Sequence, residues 1–205
     1  MNQYYIIRKI FKEHDGLVFA SDFEGQSVQW NYLNMLVRMG SISKIRRGVY
    51  QWREYGGLLD FSSSKEYEIL FKLFPEAIVC MKSALYFYGY LNLKPKFWDL
   101  AFDRDMNKRR LKINYPAIKP YFIESYLLDI GLSEELFSSC GLKIYDRERT
   151  ICDLLRRSSK IDREILNKAI QAYVLDGKKS IPNLIQYSKD LRVYAKVQQW
   201  ITVWL

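Results

Sequence analysis

Asp103 and Asp105 flank Arg104 just after an apolar run, and two carboxylates so spaced could share a divalent metal for nucleotidyl transfer. That chemistry would also need a phosphate-gripping Gly and Ser segment just upstream, and none is present. A charged turn at a strand end accounts for the same residues. The chain holds one histidine, His14, which removes His-based triads and His-rich metal sites. Gly56-Gly57 opens no helix, and no Gly-rich phosphate loop occurs. Asp146-Arg147-Glu148-Arg149-Thr150 gathers acids and bases, yet helix capping by Asp146 and an i,i+4 pair of Arg149 with Asp153 explain the cluster as scaffold. The expectation is a protein that is not an enzyme and takes no cofactor and no metal.

Recognition chemistry is better represented. Ser27 to Trp52, SVQWNYLNMLVRMGSISKIRRGVYQW, reads as a helix leading into a basic β-hairpin. Tyr32, Leu33, Leu36 and Val37 recur at helical spacing, while Gln29, Trp30, Asn31, Asn34 and Arg38 fall on the other faces. Ser27 fits an N-cap and Gly40 the residue just past the C-terminus, giving a helix of roughly 20 Å at about 1.5 Å per residue. Strands from Ile42 and from Val49 would flank Arg46-Arg47-Gly48, with Gly48 supplying the positive φ of a tight turn. Asn and Gln side chains match the donor and acceptor edge of adenine, and Arg suits guanine or phosphate. Lys44, Arg46 and Arg47 are placed to hold backbone phosphates. Ser27, Gln29, Trp30, Asn31, Asn34, Arg38, Lys44, Arg46 and Arg47 are therefore the candidate DNA-binding residues. The alternative is a protein-docking surface anchored by Trp30.

The elements that must position these residues come from residues 1 to about 57. Tyr4, Ile7, Ile10 and Phe11 share a face of a first helix over residues 2–14. Ser21 to Glu24 has the capping-box form and would open a short second helix. Three helices followed by a two-stranded wing define an N-terminal winged helix-turn-helix domain over residues 1–57, with the third helix in the groove. Tyr55-Gly56-Gly57 and Ser62-Ser63-Ser64 mark the boundary, leaving 58–205 as a second domain.

That domain reads as α+β with a helical C-terminal end. Ser63 and Glu66 form a capping box for a helix stopping at Pro75. Strands are expected near 77–81, 97–102, 120–124 and 142–145, with a helix over 83–88. Asp146 and Asp162 cap further helices, Pro182 opens another, and 193–205 is a last amphipathic helix. The run Lys108-Arg109-Arg110 with Lys112 reads as a solvated face of this domain or as a second surface for an acidic partner, and the lack of interleaved aromatics favours the solvated face.

Composition sets the class. The 205 residues are 49% hydrophobic and carry a net charge of +9, as suits a globular protein with a polyanionic partner. Cys80, Cys140 and Cys152 are odd in number and apolar in context, which points to buried thiols in a reducing cytoplasm. The charged N-terminal stretch does not read as a signal peptide, and no apolar run approaches the ~18 residues of a membrane span. The expectation is a soluble, cytoplasmic protein that does not engage membranes.

Four stretches together resemble the AbiEi antitoxins and repressors of bacterial abortive-infection, type IV toxin-antitoxin systems. They are LVRMGSISKIRRGVY at 36–50, SALYFYGY at 83–90, KIYDRERTICDLLR at 143–156 and AIQAYVLDGKKSIPNLIQYSKDLRVYAKVQQWI at 169–201. The resemblance implies a transcriptional autorepressor that binds inverted-repeat operator DNA of its own operon. It also implies a C-terminal antitoxin domain countering a nucleotidyltransferase-like toxin encoded alongside, without a stable complex. It supplies no catalytic motif, and residues 90–140 lie outside it.

Overall fold

A computed structural model of the chain describes residues 2–53, 63–133, 135 and 141–201. The expected boundary near residue 57, Cys140 and residues 202–205 lie outside the described residues. The chain is mixed α+β and divides into two compact units. Residues 1–69 with 108–115 form the first, and 70–107 with 116–205 the second. The division therefore falls inside the helix that begins at Ser63, and the basic run at 108–112 belongs with the N-terminal residues.

The first unit opens with α1 (Gln3–Glu13), whose N-cap Asn2 accepts a hydrogen bond from the Tyr4 N–H. A strand absent from the sequence reading, β1 (Leu17–Phe19), follows, and then a 3₁₀ turn over Ala20–Phe23. The expected capping box of Ser21 and Glu24 is replaced by Asp22, whose Oδ2 accepts from the Phe19 N–H at 2.8 Å. The turn is four residues long and Glu24 already takes extended backbone, so the expected second α-helix does not form. Next come α2 (Trp30–Arg38), β2 (Ile42–Arg46) and β3 (Val49–Trp52). The sheet is antiparallel in the order β1-β3-β2, with β3 central and Gly48 turning the hairpin at φ +75. α1, α2 and this sheet close on Ile7, Ile10, Phe11, Val18, Leu33 and Leu36, with Phe11 tilted against Trp52 and Phe23.

The second unit is built on a four-stranded sheet in the order β6-β5-β4-β7: β4 (Ile78–Val79), β5 (Trp98–Asp103), β6 (Ile118–Ile123) and β7 (Lys143–Ile144). β4 pairs antiparallel with β5, while β5 with β6 and β4 with β7 are parallel. Helix α3 (Ser63–Leu73) precedes β4, α4 (Met81–Phe87) follows it, and a one-turn α5 (Ser125–Leu128) follows β6. The helical end comprises α6 (Arg147–Arg156), α7 (Arg163–Leu175), α8 (Ile181–Asp190) and α9 (Tyr194–Ile201). Asp146, Asp162 and Ser180 cap α6, α7 and α8 through their side chains, and Pro182 lies in the first turn of α8. Among the described residues no helix is long and apolar enough to cross a membrane.

Candidate nucleic-acid interface

Leu33 and Leu36 are the buried positions of α2, and they turn one side of the helix into the core. Gln29, Trp30, Asn31, Asn34 and Arg38 consequently face out, and all are exposed. The helix is nine residues long, about 14 Å at 1.5 Å per residue. It is shorter than expected because it begins at Trp30 and not beside Ser27.

Its ends show how it is set. Ser27 does not cap it; Gln29 occupies the N-cap position without a side-chain bond. The tie comes from α1, where Gln3 Nε2 donates to the Ser27 carbonyl at 2.9 Å and Gln3 Oε1 accepts from the Gln29 N–H at 2.8 Å. One amide thus fixes both the preceding loop and the first turn. At the C-terminus Gly40 takes φ +78, the Gly40 N–H bonds to the Val37 carbonyl and the Ser41 N–H to the Leu36 carbonyl. These two bonds satisfy orphan carbonyls and turn the chain into β2.

Trp30 is 47% exposed, its ring edge-on to Phe23 at 5.6 Å between centroids. Met35 on the same helix and Met39 at its C-cap are also exposed, Met39 to 70%. The outward surface of α2 therefore mixes amides and a guanidinium with apolar side chains.

On the hairpin, Lys44 and Arg47 are exposed and Arg46 is half-buried. Arg46 is not a simple tip residue: its Nη1 donates to the Arg110 carbonyl at 2.9 Å. Nearby, the Asn114 N–H donates to the Ile45 carbonyl at 2.9 Å and Asn114 Nδ2 to the Lys44 carbonyl at 3.4 Å. The 108–115 segment thereby covers the edge of β2, which the sheet order would otherwise leave open. The 3₁₀ turn over Lys108–Leu111 buries none of its residues. Sequence reasoning missed this neighbour, since only a tertiary contact brings residues 108–114 to residues 44–46.

The acid-base constellations of the second unit are engaged in holding the fold. Asp103 accepts from the Asp105 N–H at 2.8 Å, and this bond, with one from Ser125, holds its carboxyl below the usual range. Arg104 pairs with Glu124. Arg149 is fully buried; its Nε donates to Asp153 at 3.0 Å and its Nη1 to the Leu127 and Ile130 carbonyls at 2.8 and 2.6 Å. Glu148 accepts from the Tyr173 hydroxyl and the Ser180 N–H. Arg147 lies over the Tyr88 ring and donates to Asp176 at 2.8 Å, while Tyr90 donates to the same Asp176 oxygen at 2.7 Å. Burial pushes the Cys80 and Cys152 thiols up, away from the reactive thiolate. No group of three potential metal ligands occurs among the described residues.

These features define a mixed α+β protein whose N-terminal unit carries a polar helix face beside a basic hairpin. By comparison with known proteins, the chain resembles in fold the crystal structure of the Rv2827c protein from Mycobacterium tuberculosis. The TM-score is 0.71 at 13% identity, over 96% of this chain and 79% of that one. At this identity the likeness is one of fold. No family model matches the chain, and no curated protein does.

Proposed function

We propose that this chain is a DNA-binding autorepressor and antitoxin of a type IV toxin-antitoxin operon, working in the cytoplasm without a cofactor. Its first unit is a winged helix-turn-helix, with α2 as the groove helix and the β2-β3 hairpin as the wing. The observation that carries this reading is the shared exposure of Asn31, Asn34 and Arg38 on α2 with Lys44 and Arg47 on the hairpin. Amides and a guanidinium suit base edges, and the hairpin cations suit phosphates. The antitoxin half rests on the resemblance of residues 83–90, 143–156 and 169–201 to the AbiEi proteins, with a nucleotidyltransferase-like toxin as functional partner.

Fluorescence anisotropy with a duplex from the chain's own upstream region tests the DNA half. With about four phosphate contacts, affinity should fall on the order of 100-fold between 50 and 200 mM salt. The antitoxin half is tested by co-expression with the nucleotidyltransferase-like product of a neighbouring reading frame. Growth restored by this chain supports it, and growth arrest despite a folded chain overturns it.

One observation favours a second reading. Trp30 and Met35 on α2, with Met39 at its C-cap, place apolar surface along the helix, as a protein-docking face would require. A salt-insensitive or absent duplex interaction, with a protein partner lost on Trp30→Ala, would replace the groove helix by a docking helix.

A further inference from the structure

We infer that the basic segment Lys108–Lys112 is a second phosphate-binding element of the first unit, set beside the hairpin to grip the backbone of duplex nucleic acid. The inference rests on the DNA-binding reading and extends it to residues from the middle of the chain.

Three hydrogen bonds hold the segment in place. Arg46 donates to the Arg110 carbonyl, and the Asn114 backbone and side-chain amides donate to the Ile45 and Lys44 carbonyls. As β2 runs from 44 to 46, the segment runs from 114 back to 110, antiparallel along the strand edge. A further tie fixes its end: the Tyr115 hydroxyl donates to Glu66 at 2.8 Å. Main-chain acceptors and neutral amides provide most of this docking. The cationic side chains of Lys108, Arg109, Arg110 and Lys112 remain exposed.

The charge arrangement is the second argument. Lys44, Arg46, Arg47, Lys108, Arg109, Arg110 and Lys112 are seven cationic side chains on two antiparallel stretches joined by these bonds. A basic surface so gathered suits a polyanion, which releases its own counterions on binding. The Lys112 N–H bonds to the Arg109 carbonyl at 3.4 Å, so the chain winds with near-threefold spacing. Residues three apart then align, which puts Arg109 and Lys112 in one row. Such a row suits successive phosphates of a strand and carries no base preference.

The double variant Arg109→Ala with Lys112→Ala, in the full chain, is measured against operator and unrelated duplexes at four salt concentrations. Arg47→Ala and the charge-preserving Arg109→Lys serve as comparisons, and circular dichroism melting checks the fold. The expected result is a log-log salt slope shallower by about 2 for the double variant, about 0.9 per lost phosphate contact. Affinity should weaken by a similar factor on both duplexes, and Arg109→Lys should keep the wild-type slope. Wild-type slope and affinity in the double variant, with weakened binding by Arg47→Ala, would overturn this inference and leave the DNA-binding reading standing. Absence of salt-sensitive duplex binding by the wild-type chain would remove both. If the double variant melts early, Lys112→Gln alone decides, by a slope shallower by about 1 or an unchanged one.

Discussion

A Cβ on Gly131 would fall inside van der Waals contact of the Arg149 Cβ and 3.1 Å from both Arg149 Cγ and Asp146 Oδ1. Gly131 also sits at φ +70, and its carbonyl accepts from the Asp146 N–H at 2.8 Å. The turn is thus pressed against the start of α6 with no room for a side chain. Gly131→Ala combines a left-handed backbone, costing about 1 to 2 kcal/mol, with overpacking of about 1 to 3 kcal/mol. Urea unfolding should show a loss of roughly 2 to 5 kcal/mol. A variant as stable as wild type would mean that the turn lies away from α6.

The buried Arg149 and Asp153 pair gives a test by comparing two variants. Burial pushes the Asp153 carboxyl up and Arg149 opposes this, so Arg149→Met leaves an acid without its cation and two carbonyls without a donor. The expected cost is about 3 to 5 kcal/mol. Adding Asp153→Leu removes the uncompensated acid, and stability should recover by about 1 to 3 kcal/mol even though the Leu127 and Ile130 carbonyls still lack a partner. Urea titrations of the single and double variants check the order. A double variant less stable than the single one would show that Asp153 is held by groups other than Arg149.

What the sequence made legible follows from the range of the interactions. Asp146, Asp162 and Gly40 act on groups within a few residues, and each is found at a helix end. Strands β4 and β7 are two residues each and are defined by pairing to distant partners, so their bounds could not be read closely from local pattern. On the candidate interface, the outward positions of α2 follow from the burial of Leu33 and Leu36. The Gln3 tie to Ser27 and Gln29 spans more than 20 positions, and the Arg46 bond to Arg110 spans 64. Ser27 therefore reads as a cap, and the run at 108–112, exposed as a solvated face would be, reads as part of the other domain. Nothing local in either stretch names its partner.

Asp146 predicts a pH dependence. Burial, the largest influence, pushes its carboxyl up to about 6 from an ordinary 3.8, against the opposing bond from the Arg149 N–H. The folded state then binds more protons than the unfolded state between about pH 4 and 6. This contribution to stability is present at low pH and is lost as pH rises through that window. Asp146→Asn keeps an oxygen for the Arg149 N–H and cannot titrate. The stability of wild type relative to this variant should fall by about 1 to 2 kcal/mol from pH 4 to 7, after discounting for partial exposure. Unfolding free energies at five pH values check it, and a constant difference would mean that the carboxyl titrates alike in both states.

Gln3 and Asn34 separate positioning from reading on α2. Gln3 holds the helix start through its two hydrogen bonds and lies on α1, so it offers no group to a base. Gln3→Ala should cost about 0.5 to 2 kcal/mol of stability, as for a lost helix cap. If α2 is the groove helix, the same change weakens binding to operator and altered operator by similar factors, because the whole helix start is loosened. Asn34 is exposed at the middle of α2. On the proposed DNA-binding reading, Asn34→Ala should leave melting unchanged and cost about 1 to 3 kcal/mol on the operator. It should cost little on a duplex altered at the base it reads, so discrimination collapses at one position. Anisotropy titrations of both variants on both duplexes, beside thermal melts, give the four comparisons needed. Equal losses on both duplexes for Asn34→Ala would make it a backbone contact and move base reading to another residue of the helix.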